Sequence, residues 1–285
     1  MKRVSVVLVA LLLLLTSRAC AKGVIGQHAR VVNCKEFISL RYEPSSSAQV
    51  MQRLPLGSEA IYLSSAENGF AKIGTENDWG YVREQYLSLS PLPVGKSVLS
   101  SLSEKEYYNI NVFLSNFTEA DLGWINCCFD LSDQREMVEF CVNHIWFNEQ
   151  EKLEWLEDVD GYNVRLNDRY VADVALKYFG CTPKTLEATF IDHIGDHYYW
   201  METGGHVASG FAIVTDLIYL SEDSYLAYFD TYGSCMGWNN DCCRYSLSEA
   251  QAEFGARNTH GSALLRIGDL SEYSSFYLEE YAWEH

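Results

Sequence analysis

The sequence has few positive charges. It holds 21 Lys and Arg residues against 39 Asp and Glu residues, which gives a formal net charge of −18. Nucleic acids and anionic lipid surfaces bind proteins through a positive field, so this balance argues against both as partners. We interpret the acidity as a solvated surface rather than as a cation-binding function. The sequence also lacks a glycine-rich phosphate loop and internal repeats, and we expect no cofactor.

Long apolar runs are absent after residue 21, so we expect no membrane span in the rest of the chain. Residues 1–21 are the exception: an apolar run, too short to cross a bilayer comfortably, follows two basic residues and precedes small ones. This pattern predicts a signal peptide cleaved after Ala21, and hence a protein that is secreted or held at the outer face of the cell envelope. Cys20 leaves a second interpretation open, in which cleavage precedes it and its sulfur carries a lipid anchor.

Residues 30–90 alternate short β-branched or aromatic runs with turn residues and contain no run of helix length. Five short strands in this stretch predict a small all-β barrel. Residues 22–29 precede it as an N-terminal arm. Residues 91–102 contain two prolines and several serines, and we interpret them as a linker.

Residues 103–285 predict an α+β domain. Three helix patterns come first, capped by Ser103, Asp133 and Asn167, and the third ends at Gly180. We expect these N-terminal helices to pack on a curled antiparallel sheet. The later pattern is extended and predicts one more helix at 247–254 among strands at 187–192, 197–203, 209–218, 224–232, 262–267 and 274–283.

Residues 40–82 carry a specific set of motifs: a Leu-Arg pair before a Pro/Ser loop, a Leu-Gly turn and a closing Gly-Tyr-Val. With these motifs the first domain resembles the bacterial SH3 (SH3b) family over about sixty residues. The resemblance implies an extracytoplasmic SH3-like barrel that often binds cell-wall peptidoglycan or its stem peptides. Flat aromatic rings suit an extended peptide. The candidate residues for a peptide-binding groove are Tyr42, Trp79, Tyr81 and Tyr86; in the alternative, Trp79 and Tyr81 only close the barrel.

The larger domain resembles an uncharacterised domain of exported proteins from gut Firmicutes. The similarity rests on NVFLSNFTEADL (111–122), LKYFG (176–180), DHYYW (196–200) and YSLSEAQAE (245–253). This resemblance implies no known activity. We expect the acidic domain to mediate an interaction whose partner the sequence does not identify.

Eight cysteines follow the predicted signal peptide. An even number in an exported protein favours disulfides, and eight cysteines allow many pairings. We expect Cys127 and Cys128 to be the partners of the cysteines in the 235–243 loop, because both groups lie in predicted loops. The disulfide candidates are Cys127, Cys128, Cys235, Cys242 and Cys243.

The Asp-Cys-Cys sequence at 241–243 also raises the hypothesis of a papain-like wall peptidase, an enzyme often fused to an SH3b module. Such an enzyme needs a Cys at a helix start and a His on a later strand. Here the Gly-Gly-His-Val stretch at 204–207 precedes the cysteines, and His260 follows them too closely. We therefore interpret both sulfurs as structural and assign no catalytic residue.

Metal ligands are a weaker possibility. His193 and His197 flank a tight turn, and His206 lies at the next turn, but their spacing fits no metal motif, so we assign no metal. The sequence as a whole favours a non-enzymatic envelope protein whose SH3-like module binds peptidoglycan or an envelope peptide or protein. The alternative function is a cell-wall hydrolase, papain-like or metal-assisted. In a third possibility, the first domain is purely architectural and packs on the second.

Overall fold

The computed structural model of the chain describes residues 23–75, 78–92, 94–120, 127–159, 161–189, 191–202, 210–233 and 240–284. The expected signal peptide with Cys20, the disulfide candidate Cys235 and the metal candidate His206 lie outside the described residues. The described part of the chain folds into three antiparallel sheets and four α-helices.

The helices begin at the residues that the sequence predicts, and the third and fourth also end where it predicts. Ser103 and Ser246 each form a capping box with the glutamate three residues later. Asp133 and Asn167 each accept a hydrogen bond from a backbone N–H of the first turn. Gly180 ends the third helix with φ +67°, a left-handed conformation that glycine adopts without strain. The four helices are α1 Glu104–Glu119, α2 Gln134–Asn148, α3 Asp168–Phe179 and α4 Leu247–Phe254.

The first sheet has seven strands where the sequence predicted five. Alternate residues of these strands, such as Ile38 and Leu40, point into a small apolar core. Gly80 is required there because a Cβ atom at this position would lie 2.7 Å from the carbonyl oxygen of Arg41. The strands are β1 Gln27–Val31, β2 Phe37–Arg41, β3 Val50–Pro55, β4 Glu59–Ala66, β5 Phe70–Gly74, β6 Trp79–Arg83 and β7 Leu87–Leu89, in the order β3-β2-β6-β5-β4-β1-β7.

The first sheet also packs on the rest of the chain. All five residues of β5 are buried, so both faces of the sheet are covered at this strand. Ala71 and Ile73 face the small core. On the opposite face Lys72 is only 4% exposed, with its Nζ 4.1 Å from the centroid of the Trp79 ring. Trp79 itself packs against the large core of the remaining chain, together with the buried side chain of Leu63.

The remaining strands form two further sheets. The order is β10-β11-β13-β12 in the four-stranded sheet and β8-β14-β15-β16-β17-β9 in the six-stranded sheet. The strands are β8 Lys96–Ser97, β9 Cys128–Asp130, β10 Glu154–Val159, β11 Tyr162–Asn167, β12 Asp192–Ile194, β13 His197–Trp200, β14 Phe211–Ser221, β15 Ser224–Tyr232, β16 Thr259–Ile267 and β17 Phe276–Glu284. Strand β15 matches its predicted bounds, whereas residues 187–189 of the first predicted strand do not belong to a strand.

The predicted fold class, an SH3-like barrel followed by an α+β domain with its helices first, is wrong. The described chain is mostly β, and its helices are interspersed among the strands. Strand β8 precedes α1, β9 lies between α1 and α2, and β10 and β11 lie between α2 and α3. These strands escaped prediction because β8 and β9 have only two and three residues. The sequence of β10, EWLEDV, is rich in acidic residues, which are uncommon in strands.

The large core joins the helices to the six-stranded sheet. Phe113 and Phe117 project from one side of α1, as their spacing predicts, and Phe117 stacks on Phe140 of α2 with ring centroids 4.8 Å apart. His144, one turn further along α2, is 2% exposed and stacks on Phe140, and its ring lies 4.7 Å from that of Tyr178. Burial lowers the pKa of His144 to about 3, so this residue is a neutral core histidine, as its place on an apolar face predicts.

A second, polar side of α1 hydrogen-bonds to the backbone of β14. Strand β8 pairs with Ile218 and Tyr219, and no strand among the described residues pairs with the first half of β14 on that side. There Asn111 Oδ1 accepts a hydrogen bond from the Val214 N–H at 2.8 Å, and Ser115 Oγ accepts one from the Ala212 N–H at 2.9 Å. The helix side chains therefore satisfy backbone groups that a strand would otherwise satisfy.

Candidate functional site

A groove at one end of the first sheet combines basic and aromatic side chains. The groove has a volume of about 430 Å³ and lies where the segment leading into β2, the start of β5 and the end of β6 meet. We call it the basic groove and define it by the side chains of Lys35, Phe37, Arg41, Phe70, Arg83 and Tyr86. Cys34, Ser39 and Ser46 also line it.

Arg83 is fixed in position by its neighbours. It ends β6, and its guanidinium group donates hydrogen bonds to the backbone oxygen of Asn68 at 2.8 Å and to Ser46 Oγ at 2.7 Å. The group also lies 4.5 Å from the centroid of the Phe70 ring, directly across the β5–β6 pair. Arg41 is fixed in the same way, because its Nη1 donates to the backbone oxygen of Ala48 at 2.5 Å. Both guanidinium groups are therefore ordered before any ligand binds.

None of the described residues that line the basic groove is acidic. Within the part of the chain that the structure describes, Lys35, Arg41 and Arg83 form no ion pair with a carboxylate. Glu84, the acidic residue next to Arg83, accepts a hydrogen bond from the hydroxyl of Tyr62. A concave surface that is lined by three cations and by no described carboxylate favours a ligand that carries negative charge.

The four aromatic residues that the sequence selected do not form one surface. Only Tyr86 lines the basic groove. Tyr42 is 55% exposed and does not line it. Trp79 and Tyr81 lie two residues apart on β6 and so share one face, with ring centroids 6.4 Å apart. That face meets the rest of the chain: Trp79 packs on the large core, and burial followed by the nearby Glu284 raises the pKa of Tyr81.

The cysteines at 242 and 243 lie in a short 3-10 helix, and both are buried. Cys242 is disulfide-bonded. Cys243 is a free thiol, 1% exposed, whose Sγ lies 3.4 Å from Ser115 Oγ. Burial raises the pKa of Cys243 to about 11, so its thiol stays protonated at neutral pH. A buried, protonated thiol is a poor nucleophile.

His260, the histidine that the peptidase hypothesis considers, contacts a carboxylate instead of a cysteine. His260 lies on β16, and its Nδ1 is 2.7 Å from Asp230 Oδ1 on the neighbouring strand β15. Asp230 is 4% exposed and also accepts a hydrogen bond from Arg257 at 3.1 Å. Among the described residues, no imidazole contacts the Cys243 sulfur. The geometry of a Cys-His pair is therefore missing from the described part of the site.

Cys127 and Cys128 lie in a different part of the molecule from Cys243. Both belong to the large core, where Cys127 is buried and Cys128 packs against the core, whereas Cys243 lies in a small cluster with Phe211 and Tyr232. Burial raises the pKa of both Cys127 and Cys128 to about 12. Cys127 and Cys243 are both free thiols in different clusters, so the expected disulfide between Cys127 and the 235–243 loop is wrong.

The metal candidates His193 and His197 face opposite sides of the β12–β13 hairpin. His193 pairs with Tyr198, and His197 pairs with Ile194, so the two rings project to different faces. His193 Nε2 lies 3.6 Å from Asp168, and His197 Nδ1 lies 2.7 Å from Asp196. Within the described ranges, no group of three or more His, Cys, Asp or Glu side chains is arranged to hold a metal ion.

A larger cleft of about 880 Å³ lies between the first sheet and the rest of the chain. Carboxylates dominate its charged lining, but several already have partners. Glu280 lies 3.4 Å from His28 Nε2, and Glu187 lies 3.6 Å from Arg135. Asp133 caps α2. We therefore treat this cleft as part of the contact between the two portions of the chain and assign no ligand to it.

No protein-family model matches the chain, and no curated protein sequence matches it significantly. The two resemblances seen in the sequence therefore stay predictions. No helix among the described residues is both long enough and apolar enough to cross a membrane.

Sequence reasoning missed most of the basic groove. It noted Arg41 only as part of a family motif and did not consider Lys35, Phe37, Phe70 or Arg83. One signal was available: residues 31–90 carry five Lys and Arg against seven Asp and Glu, whereas residues 91–285 carry eleven against thirty-two. A nearly neutral segment in a strongly acidic chain has enough cations to form a local basic surface.

Proposed function

We propose that the protein is an exported binding protein of the cell envelope, and that the basic groove binds a peptide portion of the cell wall. The observation that carries the proposal is the groove itself, with two ordered guanidinium groups beside aromatic rings on a chain that is otherwise acidic. The proposal also rests on two features of the sequence, the signal-peptide pattern and the resemblance of residues 30–90 to the bacterial SH3 family.

The chemistry of the groove suits a short extended peptide. Phe37 is 39% exposed and Tyr86 is partly buried, so both offer ring surface to apolar side chains of a ligand. Ordered arginines lose little side-chain entropy on binding, which lowers the cost of recognising a small ligand. The burial of Cys243 and its raised pKa argue against the alternative, a papain-like hydrolase.

The test uses the full-length mature protein and purified peptidoglycan. Ser39 lies on β2 between the inward-facing Ile38 and Leu40, and its side chain lines the basic groove. Ser39→Trp should fill the groove without changing its charge, and we expect loss of retention on peptidoglycan in a pull-down. Ser88→Trp is the matched control, because Ser88 is exposed on β7 and does not line the groove.

Circular dichroism and thermal melting establish that both variants are folded. Equal retention of the wild type, Ser39→Trp and Ser88→Trp would remove the basic groove from any role in wall binding. Loss of retention in both variants would indicate that the added ring acts through the fold. A second groove variant, Arg83→Gln, then decides whether the groove takes part in wall binding, because Arg83 is exposed.

A further inference from the structure

We infer that the basic groove recognises its peptide by a free carboxylate group. This inference rests on the proposed function and adds the chemical class of the ligand. Its basis is the set of three cations, Lys35, Arg41 and Arg83, that line one groove in which no described lining residue is acidic.

The two arginines keep hydrogen-bonding capacity for a ligand. A guanidinium group carries five N–H donors. Arg83 uses two of them for Asn68 and Ser46, and Arg41 uses one for Ala48. The remaining donors and the exposed ammonium group of Lys35 suit the two oxygens of a carboxylate, which accept such bonds in a bidentate way.

The size of the groove and the charge of the chain restrict which anion fits. A volume of about 430 Å³ accommodates a few residues of a peptide, not the surface of a polymer. A polyanion, such as a nucleic acid or an anionic membrane, would also approach the remaining surface, where residues 91–285 carry eleven Lys and Arg against thirty-two Asp and Glu. That surface repels a polyanion, whereas a single carboxylate on a short peptide meets only the groove.

Among the peptides of a cell wall, those with a free C-terminal carboxylate therefore fit best. An amide at the same position would keep the apolar contacts with Phe37 and Tyr86 but lose the charge-assisted hydrogen bonds. Loss of such bonds weakens binding by roughly 10- to 100-fold.

The experiment compares acetyl-Ala-D-Ala-D-Ala with its C-terminal amide, two probes that differ in one charge. Binding to the full-length mature protein is measured by calorimetry. Protection of Cys34 from iodoacetamide, measured by peptide mass spectrometry, reports where the probe binds, because Cys34 is a free thiol that lines the groove. Cys181, a free and partly exposed thiol elsewhere, is the internal reference.

We expect the acid to bind roughly 10- to 100-fold more tightly than the amide and to protect Cys34 but not Cys181. In Arg83→Gln the ratio of the affinity for the acid to the affinity for the amide should fall towards one. In Arg30→Gln it should persist, since Arg30 is paired with Glu59 outside the groove. Equal binding of acid and amide, or a preference unchanged by both Arg83→Gln and Lys35→Gln, would overturn the inference.

Inorganic phosphate is the third probe. If phosphate protects Cys34 as well as the peptide acid does, the groove is an unselective anion site and the inference fails. The peptidoglycan pull-down tests the proposed function separately from these peptide measurements. Loss of peptidoglycan retention in Ser39→Trp, combined with equal binding of acid and amide, would leave wall binding standing and reject only the carboxylate.

Discussion

Asn111 gives the most direct test of the reasoning about α1 and β14. Its side chain is 0% exposed and makes two hydrogen bonds to backbone groups from different elements. Oδ1 accepts from the Val214 N–H at 2.8 Å, and Nδ2 donates to the Cys243 carbonyl at 2.9 Å. Asn111→Ala removes both partners and leaves one buried donor and one buried acceptor without a hydrogen bond.

The expected cost follows from these two groups. A buried polar group left without a partner costs about 1–3 kcal/mol, so two of them cost roughly 2–6 kcal/mol. Alanine offsets about 0.5 kcal/mol of this, because it favours the helix more than asparagine does. We therefore expect Asn111→Ala to lower the free energy of unfolding by roughly 2–5 kcal/mol.

Urea unfolding followed by circular dichroism measures this change, with Asn258→Ala as the control. Asn258 is exposed, and we expect its replacement to change the free energy of unfolding by less than about 0.5 kcal/mol. Hydrogen exchange should show faster exchange of the Val214 amide in Asn111→Ala. An Asn111→Ala protein as stable as the control, with an unchanged Val214 amide, would refute the role assigned to this side chain.

Three further predictions concern other buried groups. His144 has a folded pKa of about 3, below its unfolded value, so the unfolded state binds the proton more readily. This residue should therefore lower the stability as pH drops below about 6.5, by up to ~1.4 kcal/mol per pH unit. Urea unfolding at pH 7 and pH 5 should show a larger loss of stability in the wild type than in His144→Phe. Cys243→Ala should bind peptidoglycan as the wild type does, and neither protein should hydrolyse it. If the wild type clears a turbid suspension of cell walls and the variant does not, the structural role of this sulfur is contradicted. Gly80→Ala should lower the thermal midpoint, because its Cβ would lie 2.7 Å from a backbone oxygen; a midpoint equal to that of the wild type in calorimetry would show that the sheet adjusts freely there.

The sequence predicted the local features of the fold well. Helix caps depend on residues three positions apart, so the pairs Ser103–Glu106 and Ser246–Glu249 are visible in the chain itself. The buried side of α2, with Phe140 and His144, is visible for the same reason.

The arrangement of the sheets was not predictable in this way. Strand β9 is held by pairing with β17, about 150 residues away, and its own three residues are too few to show an alternating pattern. The basic groove likewise depends on pairing between strands that are separated in the chain. Lys35, Arg41 and Arg83 meet only because β2 and β6 pair, and their spacing in the chain follows no period. The aromatic pair Trp79 and Tyr81 was chosen for its ring chemistry, whereas the packing of the first sheet on the large core decides which way that pair faces.

The hydrogen bonds from α1 to β14 have a consequence for assembly. A strand with open N–H groups on one side is a template on which a second polypeptide can add, and this is how many β proteins form fibrils or exchanged dimers. Asn111 and Ser115 occupy those positions on β14, so a foreign strand would first have to displace a whole helix. Helix α1 thereby closes this border of the six-stranded sheet to unwanted association.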